Sequence, residues 1–169
     1  MTNQQMGITP RLARILMSEE AIYGLILVSG MVVVSGLSVG TAVNALVTVV
    51  VTVIVFYLAH VYAGTLGRLA ATDGRATLRA GLAAAARQSG GMLLASLPPL
   101  VVLLMGALGI LEENVALWFA LIVNTVLLGG LGWFAVARWS TSRLSRIAGA
   151  VITAAFGGVL ILLKAFISH

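Results

Sequence analysis

The stretch 53–68, VIVFYLAHVYAGTLGR, is apolar almost throughout, yet it holds His60 between Tyr57 and Tyr62. An ionisable ring in hydrocarbon is costly unless something pairs with it. Glu19 and Glu20 stand at the head of an earlier apolar run, with Tyr23 one turn further on. A histidine facing a carboxylate has its protonation coupled to that partner, so this set is a candidate pH-sensitive latch or gate. The plainer alternative is a neutral histidine bonded to a backbone carbonyl or a tyrosine, locking two helices together.

Other polar residues have their own chemistry. Asn44, Thr48 and Thr52 recur every four residues, each step advancing about 40° round a helix. They form a stripe that winds toward His60 and suits a water path, or hydroxyls bonded back to their own helix. Asn124 falls near the centre of another apolar run, where hydrogen bonding between helices is the usual use of an amide. Glu112 and Glu113 are adjacent and on a helix would point about 100° apart, which makes a cation-attracting rim or a solvated turn rather than an acid–base pair. Cysteine is absent, which removes disulfides, thiolate metal sites and thiol nucleophiles together. The sequence has no phosphate-binding glycine loop, no His-Glu-x-x-His pair and no nucleophile elbow. No enzyme activity, metal or cofactor is expected.

The elements that must position these residues follow from composition. Of 169 residues, 60% are hydrophobic and 9% charged, where soluble domains carry roughly 25% charged. The net charge of +5 does not imply nucleic acid, because the basic residues lie between apolar runs rather than in one patch. An all-α integral membrane protein is expected, a single membrane domain over 1–169. A crossing helix needs about 20 apolar residues, and five segments qualify: about 20–39, 42–65, 91–111, 115–137 and 147–167. A short amphipathic helix over about 9–18, with Thr9 as N-cap and Pro10 at its first position, should lie along the interface. Residues 67–90 are the longest gap. Thr72 or Asp73 could start a short helix there ending before Gly90 and Gly91, or the segment extends the third span.

Pro98 and Pro99 lie midway along the third span; they remove two amide donors, so a kink is expected. In the fifth span Gly149, Thr153 and Gly157 form one row of small residues, and Ala150, Ala154 and Gly158 its neighbour. Such rows allow close helix packing. Lys164, near the end of that span, should snorkel to the headgroups as an anchor.

Orientation rests on the nine arginines. Arg11 and Arg14 precede the first span, Arg68, Arg75, Arg79 and Arg87 lie between the second and third, and Arg138, Arg143 and Arg146 lie between the fourth and fifth. With five spans all share one side, which the positive-inside rule makes cytoplasmic. The N-terminus is then inside the cell membrane and the C-terminus outside, and the basic face attracts anionic lipids.

The segments SEEAIYGLILVSG and VTVIVFYLAHVYAG resemble the opening of a group of small, largely uncharacterised actinobacterial multi-span integral membrane proteins. In that pattern Glu-Glu-Ala-x-Tyr-Gly opens one helix and Leu-Ala-His-Val-Tyr closes the next. The resemblance implies that Glu19, Glu20 and Tyr23 lie near Tyr57, His60 and Tyr62; it implies no activity. Two functions follow from the residues. One is a homo-oligomeric channel or transporter for a small cation or protons, lined by the second span and gated by His60 and Glu20. The other is a non-conducting scaffold, a subunit of another membrane protein, or a lipid-binding module.

Overall fold

The computed structural model describes residues 19–38, 41–72, 75 and 77–167. The described chain is all helical: α1 (Glu19–Ser38), α2 (Ala42–Ala71), α3 (Leu78–Ala107), α4 (Glu113–Ala137) and α5 (Arg143–Ile167). The last four are each long and apolar enough to cross a membrane, which gives the chain the character of a membrane-spanning protein. The expected interfacial helix over about 9–18 lies outside the described residues.

α1 is the hub and packs against all four other helices. Ala21, Leu25, Val28 and Val32 bury one face of it completely, at the three- and four-residue spacing of a helix stripe. The remaining helices go round it with consistent directions. Glu20 meets Gln88 and Gly24 meets Met92, an unchanging offset that makes α1 and α3 parallel. Gly132 meets Gly149 and Thr153, and Thr125 meets Gly157, so α4 and α5 are antiparallel. One end of the bundle therefore carries the end of α2, the starts of α1, α3 and α5 and the end of α4, with every described arginine. The opposite end carries Glu112, Glu113 and Lys164.

The bundle centre is apolar and closed. Val28 and Val32 of α1, Val49 and Val53 of α2, Leu103 of α3 and Leu121 of α4 form one buried cluster. Between helices already in hydrocarbon, close packing rather than escape from water supplies the attraction, so small residues sit at the crossings. A Cβ built on Gly24 would lie 3.1 Å from the Met92 backbone, and one on Gly106 would lie 2.8 Å from the Ala42 methyl.

Several boundaries differ from expectation. α2 continues to Ala71, six residues beyond its expected end. Among the described residues the connection holds no separate helix; α3 starts at Leu78 and runs through Gly90 and Gly91. Its N-cap is Thr77, whose hydroxyl accepts from the Ala80 amide at 3.3 Å, not Thr72 or Asp73. The helical assignment is also unbroken through Pro98 and Pro99. α3 stops at Ala107 rather than 111 because Gly109 takes φ +72°. With that left-handed residue, Gly109 N–H reaches Gly106 O and Ile110 N–H reaches Met105 O, both at 3.0 Å, the paired bonds of a Schellman close.

Candidate functional site

At the arginine-bearing end a cavity of about 200 Å³ opens between α1, α2 and α3, with Glu19, Glu20, His60, Arg68, Gln88 and Ser89 on its wall. Glu20 is only 5% exposed. Its Oε1 accepts from Gln88 Nε2 at 2.6 Å. Gln88 Oε1 in turn accepts from the Arg68 guanidinium, which also donates to Gly64 O at 3.2 Å. A carboxylate only accepts and a guanidinium only donates, so the amide between them has one permitted orientation. Glu20 and Arg68 are thus held apart as opposite charges joined through a neutral amide. Gly64 makes the arrangement possible: a Cβ there would come within 3.3 Å of both Arg68 Nη1 and the Ala85 methyl.

His60 borders this cavity but makes no bond to Glu19 or Glu20, so the expected latch contact is not formed. Its Nδ1 lies 3.2 Å from Phe56 O. A carbonyl can only accept, so Nδ1 carries a hydrogen in this contact; a ring holding that one hydrogen has an acceptor at Nε2. The ring also lies against Phe56, centroids 6.0 Å apart. The structure thus places His60 as in the plainer alternative, bonded to a carbonyl, though to its own helix rather than a neighbour. On the far side of His60 a second hollow of about 370 Å³ runs between α1 and α2, lined by Tyr23, Ile26, Leu27 and Phe56.

The tyrosines do not converge on the histidine. Tyr57 donates to Ala86 O of α3 at 3.4 Å, Tyr62 is 67% exposed, and Tyr23 is exposed at the groove. Asn44 is exposed, and Thr48 and Thr52 are half-buried beside the buried Ala45–Val49–Val53 stripe of α2. Glu112 and Glu113 are both exposed; Glu112 occupies the N-cap of α4 without a side-chain bond.

Asn124 is fully buried and joins α4 to α1, its Nδ2 donating to Leu25 O and to Ser29 Oγ. Its Oδ1 meets no donor. Pro98 borders an apolar cavity of about 190 Å³ between α1, α3 and α4 with Leu25, Leu94 and Leu127. Of the two small-residue rows, Gly149–Thr153–Gly157 forms the close contact with α4; Ala150 and Ala154 touch Gly129 more loosely, and Gly158 faces open space. Lys164 does not snorkel. It is 7% exposed and lies over the Trp118 ring, 5.3 Å from its centroid.

Sequence reasoning missed Arg68, Gln88 and Ser89 as site residues, having put them outside the membrane. Gln88 is the one glutamine after residue 5, but its level beside Glu20 follows only from α3 having started ten residues earlier. Among the described residues no group of three His, Cys, Asp or Glu could hold a metal.

The fold and site together define a membrane-type helical bundle with a polar cavity at its basic end. Comparison with protein-family models, with curated proteins and with solved structures finds no match.

Proposed function

We propose that the chain is a cell-membrane protein of five spans whose bundle does not conduct, serving as a scaffold, partner subunit or lipid-binding module. α1 is the fifth span on this reading: its 20 residues cover about 30 Å, the thickness of the hydrocarbon layer. α1 touches all four apolar neighbours, and its exposed side beyond Glu19 carries Tyr23 and Val34 rather than charge. Arginine placement puts the N-terminus in the cytoplasm and the C-terminus outside, and the basic end attracts anionic headgroups.

One observation carries the non-conducting reading. The cluster of Val28, Val32, Val49, Val53, Leu103 and Leu121 closes the centre, and an ion there would lose its hydration with no polar group of that cluster to replace it. The protein reconstituted into liposomes should pass no protons or cations above empty vesicles under a pH gradient or an applied potential. Flux proportional to protein content would defeat the proposal.

A second reading is favoured by exposed Asn44 and by Thr48 and Thr52, half-buried on α2. Polar groups on a lipid-facing helix suit a homo-oligomer whose path runs between copies. That reading requires flux in the same liposomes, and a change in it with His60→Ala or Thr48→Val.

A further inference from the structure

We propose that the polar cavity and the adjoining apolar groove form one binding site for a phospholipid with a primary-amine headgroup, ammonium in the cavity and an acyl chain in the groove. The proposal rests on the five-span reading, because that reading sets the depth. Glu19 and Glu20 open α1, so the cavity lies where hydrocarbon gives way to headgroups. α3 begins ten residues before Gln88, about 15 Å along its axis, so the α2–α3 pair forms a wall rising past that level. The groove descends from Tyr23 to Leu27, one turn deeper, and His60 borders both hollows. A polar chamber at the boundary continuing into an apolar trench has the form of an amphiphile.

The lining selects the headgroup. The cavity, about 200 Å³, is much larger than the roughly 30 Å³ share of one water. Acceptors dominate its wall. Glu20 is buried and aimed into it, with Oε1 taken by Gln88 and no donor to Oε2 among the described residues. Glu19 adds a second carboxylate, and His60 with its single hydrogen on Nδ1 offers a further acceptor at Nε2. An ammonium supplies three N–H donors and a positive charge to such a set. The guanidinium of Arg68 uses two of its five donors on Gln88 and Gly64, which leaves donors for the phosphate on the same headgroup. A choline headgroup has the charge but no N–H, and a glycerol headgroup has hydroxyls but no positive charge. Neither answers the buried carboxylate.

The test uses the full-length protein in nanodiscs holding equal amounts of dioleoyl phosphatidylethanolamine, phosphatidylcholine and phosphatidylglycerol, with retained lipid counted by native mass spectrometry. The ethanolamine lipid should be retained over each of the others by about tenfold, the worth of one hydrogen bond to a charged group. Glu20→Gln should bring that ratio close to one, with Tyr62→Phe unchanged as control. Ile26→Trp, which fills the groove and leaves the carboxylate in place, should lower retention of all three lipids. Equal retention by the unaltered protein leaves the cavity to water or to residues 1–18 and overturns the assignment. So does a preference for phosphatidylglycerol, or an ethanolamine preference that survives Glu20→Gln. Cysteine-accessibility mapping reports the five-span topology separately, so a wrong topology and an unselective site give different results.

Discussion

Two amides organise the polar interior, each in its own way. Gln88 satisfies a buried carboxylate with one end and a guanidinium with the other. Gln88→Leu leaves Glu20 without its donor, at a cost of about 1–3 kcal/mol. Its thermal midpoint in detergent should fall clearly below that of Tyr62→Phe, whose hydroxyl is on an exposed ring; equal midpoints would contradict the bridging role. Asn124 is placed more tightly, since both its bonds are donated. Asn124→Asp keeps the shape but sets a carboxylate oxygen against the Leu25 carbonyl, a loss of about 3 kcal/mol or more. Folded yield should collapse for Asn124→Asp and hold for Asn124→Leu, which removes the buried amide altogether. Ready folding of Asn124→Asp would show that the amide does not bridge α1 and α4. Asn124 is legible in the sequence because an amide deep in a span has few other uses. Gln88 and Arg68 are not, because their level depends on how far α2 and α3 reach past α1, and no local pattern sets that. His60 misleads for a related reason: a carbonyl four residues back satisfies its ring locally, so its rarity in an apolar run does not require a distant partner.

Helices of this bundle recognise one another by what they lack. Adjacent glycines of α5 separate the two cases. A Cβ on Gly157 would strike Thr125, its Cα 3.0 Å away, whereas one on Gly158 meets nothing within 4 Å. Gly157→Ala should therefore destabilise the α4–α5 contact by about 1–3 kcal/mol. Gly158→Ala should be neutral or slightly stabilising through helix propensity. Midpoints of thermal unfolding for the two variants check this, and similar losses at both would show that α5 is rotated from its described seat. The cores of all five helices are legible from the length and polarity of the apolar runs. Their ends are less so, because capping decides them: Thr77 opens α3 and the left-handed Gly109 closes it, and hydropathy responds to neither. The buried Lys164 shows the same limit, since its ammonium lies over an aromatic face one helix away, Trp118, which no pattern within its own span announces.

At the scale of the whole molecule, the fold separates charge by end and closes the space between. All described arginines share one end, the acidic pair and Lys164 the other, and an apolar cluster lies across the middle. Topology is the part of the sequence reading with the widest physical base, because successive crossings alternate and every arginine then falls on one side. Function is the least legible part, because helix packing, lipid contact and a polar path all draw on the same few hydroxyls and amides. The absence of native cysteine lets single introduced thiols report sidedness without background. Asn114→Cys, beside the acidic pair, and Ser140→Cys, between α4 and α5, occupy opposite ends of the bundle. In intact cells a membrane-impermeant maleimide should label Asn114→Cys at once and Ser140→Cys only after permeabilisation. Arg75→Cys should behave like Ser140→Cys. Labelling of Asn114→Cys and Ser140→Cys from the same side, or of Arg75→Cys from outside, would contradict a five-span bundle with its basic end in the cytoplasm.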